Sequence, residues 1–293
     1  MKKVAILNIE QFLKQHNVEE FYANTLEDHL ITSHKDIALP HSHNFYLAIL
    51  FTHGSGIHEV DFTVYSVVPG SLFFLNPGQT HHWELSKDIK GYVFFHTQDF
   101  YDMQYTQATI NRFPFFYSMH NLPVIYLKEN ELSIIQDLFK QVYEENNTNL
   151  FLKRQRILSL INLIYVESTR IYLTLNPVDT KNKNTYYIKF RQLEQFIEKH
   201  YKTKKSPSVY ATMLNVSSKH LNRITQEVAG KTVTDVILGR VLLEAKKELV
   251  LQQHNFNEIA YALGYEDYAY FSRLFKKKTG ETPSSFLKGY GKG

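Results

Sequence analysis

The stretch NEIAYALGYEDYAYFSRLFKKKTGETPSSF, residues 257–286, decides the fold of the C-terminal part of this chain. Apolar residues at helical spacing lie on both sides of Gly264, and glycine readily adopts the left-handed conformation that ends a helix. Just upstream, Asn255 followed by Glu258 forms a capping box, which is a signature of a helix start. The stretch therefore predicts two short helices joined by a tight turn, a helix-turn-helix unit.

A second copy of this pattern precedes the first along the chain. Leu221-Asn222-Arg223-Ile224 matches Phe271-Ser272-Arg273-Leu274 fifty residues later, and Gly230 matches Gly280 at the same offset. A repeat that keeps its register through helices predicts two structurally equivalent units.

The upstream copy has its own start and stop signals. Ser206, followed by a proline, opens its first helix, Asn215 takes the turn, and Ser217 caps its second helix. Between the copies, Thr232 with Asp235 opens a longer amphipathic helix that can fix the two units relative to each other. We therefore expect an all-α C-terminal domain with two helix-turn-helix units.

Charge is divided unevenly along the 293 residues. From Tyr186 to the end there are 18 Lys and Arg against 10 Asp and Glu, a net charge of +8, whereas residues 1–185 carry −4. This asymmetry is expected when only one domain binds a polyanion. The chain has no cysteine and no run of eighteen apolar residues, and its N-terminal apolar stretch is broken by Asn8 and Glu10. We expect a cytoplasmic protein without a membrane partner.

Exposed side chains on the second helix of each unit are candidates for reading base edges in the major groove of double-stranded DNA. Arginine suits the two acceptors of guanine, and asparagine suits the acceptor–donor pair of adenine. The candidates are Ser218, Lys219, Asn222, Arg223 and Gln226 in the first unit and Tyr268, Ala269, Ser272 and Arg273 in the second. The alternative is that Arg223 and Arg273 contact only phosphate.

Residues 257–286 resemble the signature of AraC/XylS-type transcription regulators. The upstream copy is similar but less strict, with Asn215 where glycine is commoner and Thr225-Gln226 where Phe-Lys is usual. The resemblance implies that one chain places two recognition helices in successive major-groove segments, and it implies a homodimer and contact with RNA polymerase. The family's base contacts match Lys219, Asn222, Arg223, Tyr268, Ala269 and Arg273.

The N-terminal half has a different pattern. Residues 21–100 contain short apolar runs such as FYLAILF (45–51), separated by Gly and Pro, which predicts an antiparallel sandwich or barrel. Helical periodicity follows from residue 129, and the polar stretch 176–185 predicts a linker. The expected fold is thus α+β and multidomain, with a sensor domain at 1–128, a helical segment at 129–175, a linker at 176–185 and a DNA-binding domain at 186–293.

The helical segment carries an apolar stripe with two interpretations. It could form a dimer seam, which the family resemblance favours, or it could pack against the chain's own β-domain, as amphipathic helices commonly do. Its members are Ile157, Leu160, Ile161, Ile164, Ser168 and Ile171.

PHSHNFY (40–46) and the stretch from Gly70 to His81 resemble the two motifs of cupins, which implies a cupin-like barrel with these histidines inside. On a strand, His41 and His43 point to the same side. The glutamate expected a few residues after His43 is missing, which disfavours a metal, so no metal or cofactor is predicted. We expect instead an effector pocket with His41, His43, His81 and Trp83. The alternative is that these histidines are partly exposed strand-end residues that bind nothing, as we expect of His53, His58, His82 and His96.

The predicted function is a sequence-specific transcription regulator controlled by a small-molecule effector, and not an enzyme. One alternative is a cupin-type metalloenzyme, an oxygenase or isomerase, tethered to a DNA-binding domain. Another is an architectural protein that binds DNA without sequence preference and without an effector.

Overall fold

Two β-sheets and a series of helices follow one another along the chain. The computed structural model describes residues 5–12, 20–32, 40–105, 110–117, 122–175, 180–251 and 254–290. The chain divides into two compact units, Ala5–Pro177 and a second unit from Val178 onward. The α+β fold class, β-rich at the N-terminus and all-helical at the C-terminus, is confirmed.

The N-terminal unit contains all ten strands found in the described residues. They are β1 (Ala5–Leu7), β2 (Phe21–Thr25), β3 (His41–His43), β4 (Tyr46–His53), β5 (Gly56–Val60), β6 (Thr63–Val67), β7 (Ser71–Leu75), β8 (His81–Leu85), β9 (Lys90–His96) and β10 (Val124–Tyr126). One sheet has the order β1-β3-β8-β5-β6 and the other β10-β7-β4-β9-β2. All pairs are antiparallel except β1 with β3.

Twelve α-helices lie in the described part of the chain. Those of the N-terminal unit are α1 (Leu26–Thr32), α2 (Gln98–Asp102), α3 (Pro114–Tyr117), α4 (Glu129–Asn146) and α5 (Lys153–Leu175). Those of the C-terminal unit are α6 (Thr180–His200), α7 (Pro207–Met213), α8 (Ser218–Ala229), α9 (Val233–Leu251), α10 (Phe256–Ala262), α11 (Tyr268–Thr279) and α12 (Pro283–Tyr290). None of these helices combines the length and the apolar character that crossing a bilayer requires.

Strand β4 is buried on both faces, which explains why its sequence is continuously apolar rather than alternating. Leu47, Ile49 and Phe51 belong to the core between the two sheets, whereas Ala48 and Leu50 belong to the core formed with α4 and α5. Successive side chains of a strand point to opposite faces, so one strand supplies both cores. The inner core is the place where side chains of β3, β5 and β8 meet those of β4.

Helix α5 packs its apolar stripe against its own β-unit. Ile157, Ile161, Ile164 and Ser168 are buried, and the first three belong to the core shared with the second sheet. Packing against the chain's own β-domain, one of the two interpretations of this stripe, is thus seen for four of its six residues, and the dimer seam stays a prediction. The physical reason for this packing is that the outer face of the second sheet is itself apolar and is covered by α4 and α5, whereas Leu160 and Ile171 of the stripe remain partly exposed.

Helix α6 begins earlier than the polar composition indicated. The predicted linker extends to residue 185, whereas the helix starts at Thr180, and residues 176–179 lie outside the described residues. Lysine is a good helix former, and a helix anchored by buried Phe190 and Leu193 can extend through a polar turn at its start.

Helix α9 lies at the centre of the C-terminal unit, and its predicted apolar stripe is buried from Val233 to Leu249. An ion pair that the sequence did not indicate joins it to α6. The Arg240 guanidinium donates to both carboxylate oxygens of Glu198, at 2.6 and 2.9 Å, and to Glu244 at 2.9 Å. It also lies 4.2 Å from the ring centre of Tyr201. Bidentate geometry of this kind fixes the relative orientation of two helices.

Candidate nucleic-acid interface and effector site

The first helix-turn-helix unit consists of α7 and α8. Asn215 in the turn has a left-handed backbone with φ of 53°, which asparagine tolerates better than most residues. Ser217 Oγ accepts a hydrogen bond from His220 N at 3.1 Å and caps α8, as predicted. Leu221 and Ile224 are fully buried. The opposite side of α8 is exposed and carries the five predicted base readers, Ser218, Lys219, Asn222, Arg223 and Gln226.

Asn222 also has a structural contact. Its Oδ1 accepts a hydrogen bond from the backbone N–H of Val233 at 3.2 Å, which satisfies one of the free donors at the start of α9. A bidentate contact with adenine uses this same oxygen as the acceptor. Asn222 therefore joins α8 to α9, a role that sequence reasoning missed.

Arg223 lies in a small cluster formed by α6 and α8. One of its terminal nitrogens, Nη2, donates to His220 Nδ1 at 3.0 Å, and its guanidinium carbon lies 5.6 Å from the ring centre of Tyr186. The rings of His220 and Tyr186 meet edge to face with 5.6 Å between their centres. Arg223 remains exposed while making both contacts.

The second helix-turn-helix unit consists of α10 and α11. The predicted capping box is present, with Asn255 Oδ1 accepting from Glu258 N at 3.0 Å and Glu258 accepting from Asn255 N at 2.7 Å. Helix α11 has an N-cap that the sequence analysis did not assign, because Asp267 accepts from Ala269 N at 2.8 Å and from Tyr270 N at 3.2 Å.

The predicted readers of the second unit lie at the surface of α11. Ala269 and Arg273 are exposed, and Tyr268 and Ser272 are half-buried. Tyr268 stacks on Phe256 with 5.9 Å between ring centres. Of the two adjacent aromatic residues on α11, Phe271 belongs to the core, since it is only 1% exposed and Tyr270 is 54% exposed.

The turn of the second unit is fixed against the end of α6. Gly264 has φ of +79°, and a Cβ atom there would lie 1.9 Å from the carbonyl oxygen of Lys202. Lys205 Nζ donates to that oxygen at 2.7 Å and to the carbonyl oxygen of Leu263 at 2.7 Å. At the other end of α11, Lys278 forms a 2.6 Å ion pair with Asp235 in the first turn of α9.

In the N-terminal unit, the predicted effector residues meet in the core between the sheets. His41, His43, His81 and Trp83 are at most 5% exposed. His41 pairs with His81 across β3 and β8, and their ring centres are 4.3 Å apart. The ring centres of His43 and His81 are 5.1 Å apart. These side chains are therefore not the partly exposed strand-end residues of the alternative interpretation.

Two histidines that we expected at exposed strand ends are fully buried instead. His58 pairs with Trp83 across β5 and β8, and its Nε2 shares a 3.0 Å hydrogen bond with His81 Nδ1. His96 Nε2 accepts from the Tyr165 hydroxyl at 2.8 Å. The expectation was wrong for both, because His58 lies on the strand face toward the core between the sheets and His96 on the face of the second sheet that α5 covers. His53 is largely exposed beside Asp88 at 3.2 Å, and His82 lies 3.8 Å from Glu59.

Burial keeps two of the core histidines, His43 and His58, neutral at pH 7. It lowers the pKa of His43 to about 3, with a further decrease from the neighbouring His41, and it lowers the pKa of His58 well below its usual value. His43 Nδ1 donates to the carbonyl oxygen of Phe45 at 2.7 Å, so its Nε2 carries a free lone pair. Within the described residues, His43 Nε2 and His58 Nδ1 are buried without a hydrogen-bond partner.

Across the described ranges, no group of three or more His, Asp or Glu side chains is placed so that it could hold a metal ion. The arrangement brings several buried imidazole rings together beside the indole of Trp83.

Two parts of the chain are similar to known protein domains. An AraC-like ligand binding domain matches residues 33–159, and a helix-turn-helix domain matches residues 210–289. The HTH-type transcriptional activator RhaS of Enterobacter sp. (strain 638) is 21% identical over 252 residues, which cover 85% of this chain and 87% of RhaS. The bifunctional transcriptional activator/DNA repair enzyme AdaA of Bacillus subtilis is 26% identical over 155 residues, covering 49% of this chain and 72% of AdaA.

Solved structures with a similar course of the chain include ToxT from Vibrio cholerae, which is 13% identical with a TM-score of 0.44 and covers 92% of this chain and 98% of that one. The C-terminal domain of the response regulator yesN from Fusobacterium nucleatum is 29% identical with a TM-score of 0.31, and covers 32% of this chain and 93% of that one.

Proposed function

Because this chain belongs to the AraC family of transcription regulators, we propose that it binds a specific DNA sequence through α8 and α11 under the control of a small molecule. The two recognition helices have the same capped geometry and an exposed side with basic residues. The observation that carries the proposal is that the predicted readers of α8 and α11 lie at the surface while the opposite sides are buried. The proposed readers are Ser218, Lys219, Asn222, Arg223 and Gln226 in α8 and Tyr268, Ala269, Ser272 and Arg273 in α11.

Selection of duplexes from a random library by the full chain tests this proposal. We expect one sequence to be enriched, with separate segments that respond to α8 and to α11. Arg223→Ala should weaken binding to the selected duplex by about 1–3 kcal/mol and relax the preference at one base pair. An equal loss on random DNA would show that Arg223 contacts only phosphate.

The salt dependence of binding separates this function from that of an architectural protein. Phosphate contacts alone give a steep salt slope with little difference between selected and random duplexes. We expect instead a specificity ratio of at least about 10³ at physiological salt. A ratio near one would favour the architectural function.

We further propose that the effector binds in the core between the sheets, against His41, His43, His81 and Trp83. Support comes from His43 Nε2, a buried acceptor that has no hydrogen-bond partner among the described residues. Leaving such a group unpaired costs about 1–3 kcal/mol, which a ligand with a hydroxyl or N–H group can recover.

A thermal-shift screen of polar metabolites against the full chain tests the effector site. A ligand of this site should raise the melting temperature of the wild-type protein and should lose that effect in His43→Gln. His82→Ala is the matched control, because His82 neighbours His81 on β8 but points to the other side of the strand. If a ligand still raises the melting temperature of His43→Gln but not that of His82→Ala, it binds outside the core between the sheets.

We infer that the protein regulates transcription in the cytoplasm rather than catalysing a reaction. The alternative of a cupin-type oxygenase or isomerase is disfavoured by the sequence, because the glutamate expected a few residues after His43 is missing. Stoichiometric iron, manganese or zinc in the purified protein, lost on replacing His41 and His43 by alanine, would reverse this inference. The homodimer and the contact with RNA polymerase stay predictions.

A further inference from the structure

Two residues that lie beside Arg223 have no assigned role in recognition. His220 precedes it by one helical turn on α8, and Tyr186 lies on α6. Both contact the guanidinium, His220 through a 3.0 Å hydrogen bond and Tyr186 through its ring at 5.6 Å. We propose that His220 and Tyr186 are positioning residues that hold Arg223 ready to read its base, an inference that rests on the proposed function.

The hydrogen bond leaves Arg223 enough donors for a base. A guanidinium has five N–H groups, and a bidentate contact with guanine O6 and N7 needs only two of them. His220 Nδ1 accepts a single hydrogen from Nη2. The other hydrogen of Nη2 and those of Nη1 are not used by this bond, so His220 can orient the side chain without competing with DNA.

Holding Arg223 in advance also reduces the entropy that binding has to remove. A free arginine side chain has many rotamers, and immobilising a side chain of this kind costs about 0.5–1.5 kcal/mol. The His220 acceptor and the Tyr186 ring restrict Arg223 from two directions, while the edge-to-face contact between the two rings fixes their own positions.

The internal repeat provides a comparison within the same chain. Arg273 occupies the place in α11 that Arg223 occupies in α8, and the residue three positions before it is Tyr270 rather than histidine. Among the described residues, Arg273 has no hydrogen bond, ion pair or aromatic partner. The positioning device is therefore specific to the first unit.

The test measures base discrimination rather than affinity alone. Wild-type protein first selects its duplex from a random library, and Arg223→Ala then identifies the base pair that depends on Arg223. Discrimination is the ratio of the Kd for the duplex with that pair replaced to the Kd for the selected duplex. His220→Phe keeps a ring against Tyr186 but removes the acceptor, and Tyr186→Leu removes the aromatic surface.

We expect His220→Phe and Tyr186→Leu each to reduce this ratio about 2- to 10-fold at the Arg223-dependent pair and at no other. Tyr186→Phe, the matched control, keeps the ring and should leave the ratio unchanged. His220→Gln retains an acceptor and should keep part of the discrimination that His220→Phe loses. In an Arg223→Ala background, His220→Phe should have no further effect on the ratio, because positioning residues act only through the group they position.

Three outcomes would overturn the inference. An unchanged ratio in both His220→Phe and Tyr186→Leu would do so, and so would an equal loss of affinity on selected and random duplexes, which indicates a merely structural role. A His220→Phe effect that persists without Arg223 would make His220 a reader itself. If no sequence is enriched at all, or Arg223→Ala changes no base preference, the proposed function fails and this inference with it.

Discussion

Asn222 lies on the exposed side of the first recognition helix, yet its side-chain oxygen is bound to the start of α9. Asparagine on a helix surface is equally compatible with base reading and with capping a neighbouring helix, and its identity alone does not separate these uses. At this position, the hydrogen bond from Val233 N–H shows that Asn222 caps the start of α9.

Replacing Asn222 by alanine should lower the free energy of unfolding of the C-terminal unit by about 1 kcal/mol, because a start-of-helix donor loses its acceptor. Urea denaturation followed by far-ultraviolet circular dichroism measures this change. Gln226→Ala is the control, since Gln226 is exposed on the same helix, and its effect should stay within about 0.5 kcal/mol. Equal effects of the two substitutions would contradict a capping role.

At the scale of elements, the turn between α10 and α11 depends on a close approach to the end of α6. Gly264 combines a positive φ with a carbonyl oxygen in the space that a Cβ would occupy. Lys205 then joins the two segments through the carbonyl oxygens of Lys202 and Leu263. The turn therefore positions the second unit on α6 as well as joining two helices.

Gly264→Ala should destabilise the C-terminal unit by more than about 2 kcal/mol, because a backbone strain of about 1–2 kcal/mol adds to the clash with Lys202. Gly280→Ala separates the two contributions. Gly280 has φ of +90° with nothing within 4 Å of the added Cβ. Gly280→Ala should therefore be destabilised by the backbone strain alone. Thermal unfolding of both variants measures the difference, and identical losses would show that the contact with Lys202 does not constrain the turn.

At the scale of the whole molecule, the N-terminal unit contains several histidines that folding keeps neutral. Burial lowers the pKa of His29 and of His43 to about 3 and that of His96 to about 4. The unfolded chain binds protons at these groups below about pH 6.5. A folded-state pKa that lies below the unfolded value gives stability that is present above pH 6.5 and decreases as the pH falls toward 3 to 4.

Acidification should therefore unfold the N-terminal unit first. Each such histidine lowers the free energy of unfolding by about 1.4 kcal/mol per pH unit below 6.5. Trp83 is the single tryptophan of the chain and lies in this unit, so its fluorescence during urea titrations between pH 8 and 4.5 reports the change. His96→Gln should make the pH dependence shallower by the contribution of one histidine. An unchanged slope in that variant would contradict the assignment.

Local patterns in the sequence were enough to predict the two helix-turn-helix units and the β-rich first half. Caps such as Ser217 and the pair Asn255 and Glu258 act within three residues, and the left-handed turn at Asn215 is a property of one residue. Helical and strand periodicities likewise repeat over a few positions. Interactions of such short range can be predicted directly from neighbouring residues in the sequence.

The tertiary structure alone decided which of the candidate side chains meet and what each face covers. It buried His58 and His96, turned the stripe of α5 toward its own sheet, and joined Asn222 to α9 and Arg240 to Glu198. The partners of these contacts are separated by up to 69 residues, as with His96 and Tyr165. Contacts of that separation depend on how whole elements pack, and packing is a property of the assembled core rather than of any one segment.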